Sequence, residues 1–403
     1  MHSSWQTTIN LMIQTVNLEA MVTDVLASAQ VIDIHTHLFA PGFGNLGLWG
    51  IDHLLTYHYL EAELFRSAPI HPEQYWALSM SQRADLIWKT LFVEKNPISE
   101  ATRGVIAVLN AFGLDASQRT LTLYRDFFRD QNLADHIARV FQLAGIESVV
   151  MTNDPLDPEE SPLWDSVAAD PRFKAALRLD RLLNQEAAYT PGDARRFLET
   201  WATRMRPVYM AVSLPDSFQF PANDRRSKLL AEVVLPACRD LKIPLSLMIG
   251  VRRQVNPAIR LAGDASGRAD LRSIETLCRE FPDNRFLVSV LSRENQHELC
   301  VYARKFANLM PFGCWWFLNN PSMVEEITRE RLEMLRTSFI PQHSDARILE
   351  QVIYKWRNTR RTLAPVLANT YRLLAEDGRA VTRTDIERDV RRLFRTNFQT
   401  FTS

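Results

Sequence analysis

The stretch "VIDIHTHLFA", residues 31–40, decides the fold and indicates the chemistry. Its first four residues are mostly apolar and β-branched, which is typical of a buried strand in a parallel sheet. Because alternate residues of a strand face the same side, His35 and His37 project together. Two neutral imidazoles that converge from one strand supply half of a metal site, whereas a pair of merely hydrogen-bonded histidines leaves the spacing unexplained. The stretch therefore predicts a strand whose carboxyl end carries two metal ligands.

Composition narrows the class of protein and its partners. The 403 residues contain 47 Lys and Arg against 47 Asp and Glu, so no overall field favours nucleic acid or an anionic membrane. The four cysteines are widely spaced and form no C-x-x-C pair, which indicates reduced thiols. The first thirty residues lack the pattern of a signal peptide, and no later run approaches transmembrane length. We expect a cytoplasmic protein with a small-molecule substrate, and a homo-oligomer is compatible with the sequence.

Beyond the first strand, the alternation of short apolar runs with helical stretches indicates an α/β barrel. Residues 5–28 are predicted as a leading helix and residues from about 51 to 142 as a helical insertion. Short apolar runs that alternate with amphipathic helices then predict further strands at 146–154, 173–180, 207–213, 243–250, 285–292, 312–320 and 337–345. Eight strand–helix units favour a (β/α)₈ TIM-like barrel, and the lack of G-x-G-x-x-G and P-loop motifs argues against a doubly wound sheet. We predict one domain over 1–403, with helices from about 346 to 403 as a C-terminal extension.

The polar residues at strand ends predict where the third metal ligand lies. Catalytic residues of such barrels sit at the carboxyl ends of strands, and the first and last strands are neighbours when the barrel closes. Asp345, after the last predicted strand, can therefore join His35 and His37. Three protein ligands leave one position open for water or substrate, which is typical of a catalytic ion.

Motifs along the whole chain resemble the uronate isomerase family of the amidohydrolase superfamily, in its shorter bacterial form. The resemblance runs from about residue 15 to 400 and is carried by motifs in the same order: "DIHTHLF", "LLTYHYLEAE", "RADLIWKTLF", "VVMTNDPLD", "AALRLDRLLN", "VYMAVSLP", "LSRENQHEL", "FGCWWFLNNP" and "SFIPQHSDARILEQ". It implies interconversion of D-glucuronate with D-fructuronate and of D-galacturonate with D-tagaturonate, through a cis-enediol. It also implies a role in carbohydrate metabolism, in glucuronate catabolism.

The resemblance implies roles for particular residues. Asp345 would bind the metal and take the C2 proton, with Arg347 assisting; the alternative for Arg347 is a surface ion pair. His58 and Tyr59 would lie over the substrate, with Tyr59 handling the C1 proton or stabilising enediolate charge; the alternative for "TYHYL" is a helix stripe in which Tyr57 packs in the core. Arg178 would bind the substrate carboxylate, or else form a structural salt bridge with Asp180.

Further residues are weaker candidates. For substrate binding we include Arg293, which could instead form a local ion pair, Trp316 as a pocket wall, and Asn320, which could instead cap the next helix. Met248 occupies the place of a histidine in longer relatives, which argues for one divalent ion, with Zn²⁺ expected. His343 is expected to support the ligands from behind, and the role of Asp216 is left open.

Two other functions compete with isomerisation. A mononuclear hydrolase of the same superfamily would use a metal-activated water on an ester, lactone or amide, and would not need Tyr59 and Arg178 in the pocket. A sugar-acid-binding protein with a degenerate barrel would have no physical reason to keep an open metal position.

Overall fold

The computed structural model describes residues 18–166, 170–184 and 189–403, and a curled sheet lies at its centre. The strands are β1 (Val31–Thr36), β2 (Ile146–Asn153), β3 (Phe173–Arg178), β4 (Met210–Pro215), β5 (Leu245–Arg252), β6 (Ala265–Ser266), β7 (Phe286–Val290) and β8 (Leu309–Pro311). Their order is β1-β2-β3-β4-β5-β7-β8, all neighbours in this path being parallel, and the short β6 pairs antiparallel with β5.

The strands are buried on both faces, as their apolar composition predicts. Every residue of β1 and of β7 is buried, and so is every residue of β5 except its last. Helices cover the outside of a parallel sheet while side chains fill its inside, so neither face needs polar residues. Polar side chains on these strands therefore need a specific reason to be there.

Helices occupy most of the remaining chain. They are α1 (18–28), α2 (Ile51–Leu55), α3 (His58–Ser67), α4 (Pro72–Trp76), α5 (Met80–Trp88), α6 (Glu100–Ala111), α7 (Thr122–Arg129), α8 (Leu133–Ala144), α9 (Asp180–Asn184), α10 (Pro191–Met205), α11 (Arg225–Leu229), α12 (Leu235–Asp240), α13 (Arg272–Glu280), α14 (Gln296–Ala303), α15 (Pro321–Leu335), α16 (Gln351–Glu376), α17 (Arg383–Arg391) and α18 (Asn397–Thr402). Single 3₁₀ or π turns include Pro41–Leu46, Lys89–Val93, Ser161–Asp165, Leu230–Val234, Pro257–Gly263, Arg293–Asn295, Trp316–Leu318 and Arg392–Thr396.

The helices between β1 and β2 pack on the long helix α16. α6 and α8 both contact α16, and their buried side chains share one apolar cluster with it. Local signals fix where α8 begins and ends: the Asn132 side chain accepts hydrogen bonds at its start, and Gly145 adopts the left-handed conformation (φ 63°) at its end. The chain then enters β2 directly, next to β1.

Segment 339–346, defined here as the closing segment, lies between β8 and β1 without forming a regular strand. Ile340 donates to the carbonyl of Pro311 (3.0 Å), and at the other edge Asp345 donates to the carbonyl of His35 (3.2 Å). The backbone N–H of His37 donates to the carbonyl of Ala346 (2.7 Å). Main-chain hydrogen bonds thus join the closing segment to both outer strands of the path.

Two predicted strands are wrong in their regular form. Residues 312–320 are not a strand, because Gly313 (φ 64°) and Trp316 (φ 47°) have left-handed backbone conformations that a strand excludes. Trp315 and Trp316 therefore do not alternate across a sheet. Residues 337–345 form only an isolated bridge, between Ile340 and Phe312. The part of the leading helix predicted at 5–17 lies outside the described residues.

Within the described residues, no helix has both the length and the apolar character needed to cross a membrane.

Candidate metal-dependent active site

Three possible metal ligands meet where β1 ends beside the closing segment. The Nε2 atoms of His35 and His37 lie 3.6 Å and 3.2 Å from Oδ1 of Asp345. One ligand atom from each of the three residues lies within 4.8 Å of the other two. The structure therefore brings together the two histidines of the first strand and an aspartate from the far end of the sheet.

The hydrogen bonds behind the histidines fix their tautomers. The Thr152 hydroxyl donates its one proton to the carbonyl of the residue before His37 (2.8 Å), so the Nδ1 of His37, 3.0 Å away, must donate to Thr152. In the same way, Tyr209 donates to the carbonyl before His35 (2.6 Å), and the Nδ1 of His35 lies 3.3 Å from the Tyr209 oxygen. Both imidazoles therefore direct an unprotonated Nε2 at Asp345.

This arrangement fits a divalent cation. Two nitrogen lone pairs face a carboxylate, and Oδ1 of Asp345 is buried with no hydrogen-bond partner among the described residues. Such a group is electrostatically unfavourable by itself, because nothing positive lies between the three ligand atoms. Burial lowers the pKa of His35 to about 3 and holds the pKa of His37 well below 6.5, which keeps both in the neutral form that binds metal.

Side chains rather than a sheet ladder hold the closing segment. Buried Asp33 accepts the backbone N–H of Ser344 at Oδ1 (3.0 Å) and the indole N–H of Trp356, on α16, at Oδ2 (2.8 Å). Burial raises the pKa of Asp33 to about 6, although these hydrogen bonds act to lower it. Asp345 adopts a left-handed backbone conformation (φ 53°), which is uncommon outside glycine. A network of buried polar contacts thus determines where the Asp345 carboxylate lies.

The predicted His58–Tyr59 pair opens α3 and lies beside this group. The His58 ring lies 4.5 Å from the Tyr59 ring and 5.6 Å from the Trp316 ring, measured between centroids. Burial, followed by the charge of Arg347, lowers the pKa of His58 to about 3, and its Nε2 has no hydrogen-bond partner in the described part of the chain. Burial and the charges of neighbouring groups, Asp345 among them, hold the pKa of Tyr59 well above 10. Trp316 thus lies next to His58.

Two of the predicted arginines, Arg178 and Arg347, place positive charge near the metal group. Arg178 forms a bidentate pair with Asp180 (3.0 Å and 3.1 Å), so the structural salt bridge exists. Burial acts to lower the pKa of Arg178, but the neighbouring carboxylates, Asp180 first and Asp345 among them, outweigh it and raise this pKa. The charges of Arg178 and Arg347 both contribute to the lowered pKa of His35 and His37. Both guanidinium groups therefore act on the metal group.

Two predicted substrate contacts have other partners in the structure. Arg293 is exposed and forms a bidentate ion pair with Glu326 (2.8 Å and 3.0 Å). Asn320 caps α15, where its side chain accepts the backbone N–H of Met323 (3.0 Å). Among the described residues, neither side chain has a recorded contact with the metal group. The alternative interpretation of each, a local ion pair and a helix cap, is what the structure contains.

The two residues left with open roles also have defined surroundings. His343 is fully buried, with its ring 5.3 Å from the His35 ring and 5.2 Å from the Phe312 ring, and burial lowers its pKa to about 3. Its ring therefore packs against the ring of His35. Asp216 is half-buried and lies 3.9 Å from Arg252.

Sequence reasoning missed several residues that support the site. Tyr57 is buried, as the helix stripe predicts. Burial raises its pKa, and the charge of Asp345 raises it further, so Tyr57 also lies near the metal group. Its place directly before α3, next to His58, was the available signal. Thr152, two positions before the end-of-strand Asp154, could have been found by strand alternation. Tyr209 and Trp356 carry no sequence signal for their hydrogen bonds to the His35 strand.

Comparison with known proteins identifies the family. No family model matches the chain, and no curated protein does. A solved uronate isomerase from Bacillus halodurans C-125 is 47% identical, covers 96% of each chain and superposes with a TM-score of 0.94. A glucuronate isomerase from Caulobacter crescentus (14% identity, TM-score 0.74, covering 96% of this chain and 94% of its own) and a uronate isomerase from Thermotoga maritima (15%, 0.73, 96% and 97%) share the fold. The chain belongs to the uronate isomerase family.

Proposed function

We propose that this protein is a uronate isomerase that interconverts D-glucuronate with D-fructuronate and D-galacturonate with D-tagaturonate. One observation carries the proposal within the family: the unprotonated Nε2 atoms of His35 and His37 face the unpartnered Oδ1 of Asp345, with His58, Tyr59, Arg178 and Arg347 around them. A hydrolase would need the metal ligands but would not need a protonated phenol and two guanidinium groups beside them.

His35, His37 and Asp345 would hold one divalent ion, for which we propose Zn²⁺. When bound, such an ion polarises the carbonyl or the neighbouring hydroxyl of the sugar. Zn²⁺ matches two imidazoles and one carboxylate with a fourth position open, although this ligand set also accepts manganese, iron and cobalt.

The isomerisation moves protons between two adjacent carbons. A proton leaves C2 and another leaves O2, while C1 and O1 each gain one, so the aldehyde becomes a hydroxymethyl group and C2 becomes a ketone. We assign Asp345 as the base that accepts the C2 proton, because its carboxylate lies at the centre of the site and the charge of Arg347 lies near it. Tyr59 supplies the proton at C1 or stabilises the enediolate, since its raised pKa keeps the phenol protonated at neutral pH.

The remaining residues hold the substrate in place. Arg178 presents a guanidinium to the hexuronate carboxylate while Asp180 keeps that guanidinium oriented (3.0 Å). His58, neutral because burial lowers its pKa to about 3, accepts or donates a hydrogen bond to a sugar hydroxyl. The Trp316 ring forms a wall against which the sugar lies.

We also propose the finer architecture. The closing segment completes a (β/α)₈ barrel, because it hydrogen-bonds to β8 on one side and to β1 on the other. Helices α2–α8 are an insertion after the first strand, and the helices from α16 onward are a C-terminal extension. A cytoplasmic location is supported by the four cysteines, which are all buried and free.

The proposal is tested by incubating the purified protein with each uronate and reducing the keto product with a coupled dehydrogenase. We expect turnover that is lost after chelation and restored by a divalent ion. Turnover that survives complete metal removal contradicts the proposal. Hydrolysis of lactones or esters without any conversion of D-glucuronate or D-galacturonate would establish the competing hydrolase instead.

A further inference from the structure

A second cleft lies at the opposite end of the sheet from the metal group. Its volume is about 930 Å³, at the upper end of the range found for small-molecule sites. Arg285, Asn308 and Ser338 in its lining directly precede β7, β8 and the closing segment, whereas the metal ligands lie at the other ends of the strands. At about 3.3 Å per residue, the five residues of β7 alone separate the two ends by about 17 Å.

The charges that line this cleft are all of one sign. Arg279, Arg285, Lys305 and Arg392 line it, and no carboxylate side chain does. They come from four different places in the chain: α13, the residue before β7, the turn after α14 and the π turn Arg392–Thr396. Cations that converge from separate elements on one cavity raise its potential and attract an anion.

Neighbouring groups neutralise these four cations only in part. Arg279 pairs with Glu275 (3.0 Å) and Glu280 (3.5 Å), neither of which lines the cleft. Arg285 donates to the backbone oxygen of Lys242 and to an oxygen of the carboxyl-terminal Ser403, and burial lowers its pKa. Within residues 18–166, 170–184 and 189–403, Lys305 and Arg392 have no carboxylate partner. A bound anion would supply what these groups lack.

The cleft also has an apolar wall. Phe306, Met310 and Phe401 line it beside the cations, and the hydroxyls of Thr337 and Ser338 offer further hydrogen bonds. A free inorganic anion would leave this wall exposed to water. A ligand that joins an apolar ring to a multiply charged group would use both parts of the surface.

We propose that this cleft binds a nucleotide-like ligand, with its phosphate at the four cations and its ring against Phe306 and Phe401. Phosphate suits the site better than a carboxylate because it carries up to two charges and presents its oxygens in several directions, toward cations from separate elements. The site is separate from the one proposed to bind the uronate, and it adds a binding function to the chain.

The test is isothermal titration of the full chain with AMP at about 150 mM salt, with inorganic phosphate and adenosine as the separate halves of the ligand. We expect one AMP per chain and weaker binding of each half. The double variant Lys305→Ala/Arg392→Ala should bind AMP at least about tenfold more weakly. Arg329→Ala is the matched control, because Arg329 is an exposed arginine that pairs with Glu325 (2.6 Å) outside the lining, and it should leave AMP binding unchanged.

Several results would overturn the proposal, and each can be distinguished from failure of the isomerase proposal because turnover is not the readout. Absence of saturable AMP binding up to millimolar concentration is one. AMP affinity that is equal in the double variant and in the wild type, with both unfolding at similar temperatures, is another. Adenosine that binds as tightly as AMP would show that the cations play no part. Displacement of AMP by D-glucuronate but not by inorganic phosphate would place the nucleotide at the metal group instead.

Discussion

Polar residues follow β1 and the closing segment, and others follow β7 and β8. The hydrogen bonding of their side chains differs between these two places. Where β1 meets the closing segment, Oδ1 of Asp345, Nε2 of His58 and both ring nitrogens of His343 are buried without a hydrogen-bond partner among the described residues. After β7, Arg293 pairs with Glu326. After β8, the Asn320 side chain accepts a hydrogen bond from the first turn of α15. Sequence position alone does not separate the two cases.

The difference is that several unpartnered buried atoms gather around the metal group, whereas Arg293 and Asn320 each have a partner. A buried polar atom without a partner costs folding free energy, so a group of such atoms indicates something that binds there. A bidentate ion pair does not by itself separate the two places, because Arg178 forms one with Asp180; Arg293 differs in that its side chain is 60% exposed, against 24% for Arg178. The predictions below test this contrast, from the largest expected effect to the smallest.

The largest effect is expected from Asp345→Asn. This change removes a charge that serves both as metal ligand and as proposed base, so kcat should fall about 10³-fold or more. The coupled uronate assay measures kcat, and elemental analysis of the same sample should find less bound metal. Turnover within about tenfold of wild type would remove Asp345 from the proton transfer.

Tyr59→Phe should lower kcat about 10²-fold with little change in KM, because the ring remains while the phenolic proton is lost. Tyr371→Phe is the control, since the Tyr371 hydroxyl contacts Asp389 (3.2 Å) on the C-terminal helices. If both variants keep near-normal turnover, another group handles the proton at C1.

Arg178→Met should raise KM for the uronate about 10- to 100-fold and change kcat less, since it removes the guanidinium proposed to bind the substrate carboxylate. The control is Arg181→Met. Arg181 lies three residues further along the chain and pairs with Asp154 (3.0 Å) and Asp157 (2.9 Å). An unchanged KM in Arg178→Met would leave Arg178 with only its structural pair to Asp180.

Lowering the pH should destabilise the metal-free protein. His35, His58 and His343 have a folded pKa of about 3, against 6.5 when unfolded. Between these values the unfolded chain binds protons that the folded chain does not, so stability falls as pH drops below about 6.5. Each histidine contributes about 1.4 kcal/mol per pH unit to this slope.

Asp33 acts in the opposite direction over part of the range. Its folded pKa of about 6 exceeds the ordinary aspartate value of 3.8, so the stability linked to it is present at low pH and is lost as pH rises toward 6. Urea unfolding at pH 7, 6 and 5 measures the sum. His58→Asn should reduce the slope by about 1.4 kcal/mol per pH unit, and an unchanged slope would mean that His58 titrates normally in the folded state.

The smallest effects are expected for Arg293 and Asn320, which follow β7 and β8. Arg293→Met should change kcat and KM by less than about twofold, because an exposed ion pair contributes little. Asn320→Ala should lower the free energy of unfolding by about 1 kcal/mol through loss of the helix cap, again with normal kinetics. A tenfold rise in KM for either variant would restore it to the substrate site.

Most strands of the sheet and the grouping of His35, His37 and Asp345 were predictable, because they follow from local patterns and from the order of the strands. Apolar β-branched runs predicted β1 to β5 and β7, but not the two-residue β6, and the alternation of a strand predicted that His35 and His37 face one side. The expected adjacency of the first strand and the last predicted strand placed Asp345 beside His35 and His37. All of these depend on periodicity or topology, which a sequence displays directly.

The errors lie where side chains override the backbone pattern. Residues 312–320 are apolar enough for a strand, but Gly313 and Trp316 turn the backbone into left-handed conformations. The closing segment is held by Asp33 and Gln342 instead of a full ladder, with Gln342 Oε1 accepting the backbone N–H of Cys314 (2.8 Å). Whether Arg293 is free or paired depended on Glu326, which only the packing of α15 brings near.

Metal content per chain is the most direct test of the central claim, that His35, His37 and Asp345 hold one catalytic cation. Elemental analysis after reconstitution and gel filtration should give one divalent ion per chain in the wild type and less than about a tenth of that in His35→Asn/His37→Asn, with uronate turnover lost in parallel. One ion per chain retained in the double variant, or a metal-free wild type that still converts uronates, would contradict the account.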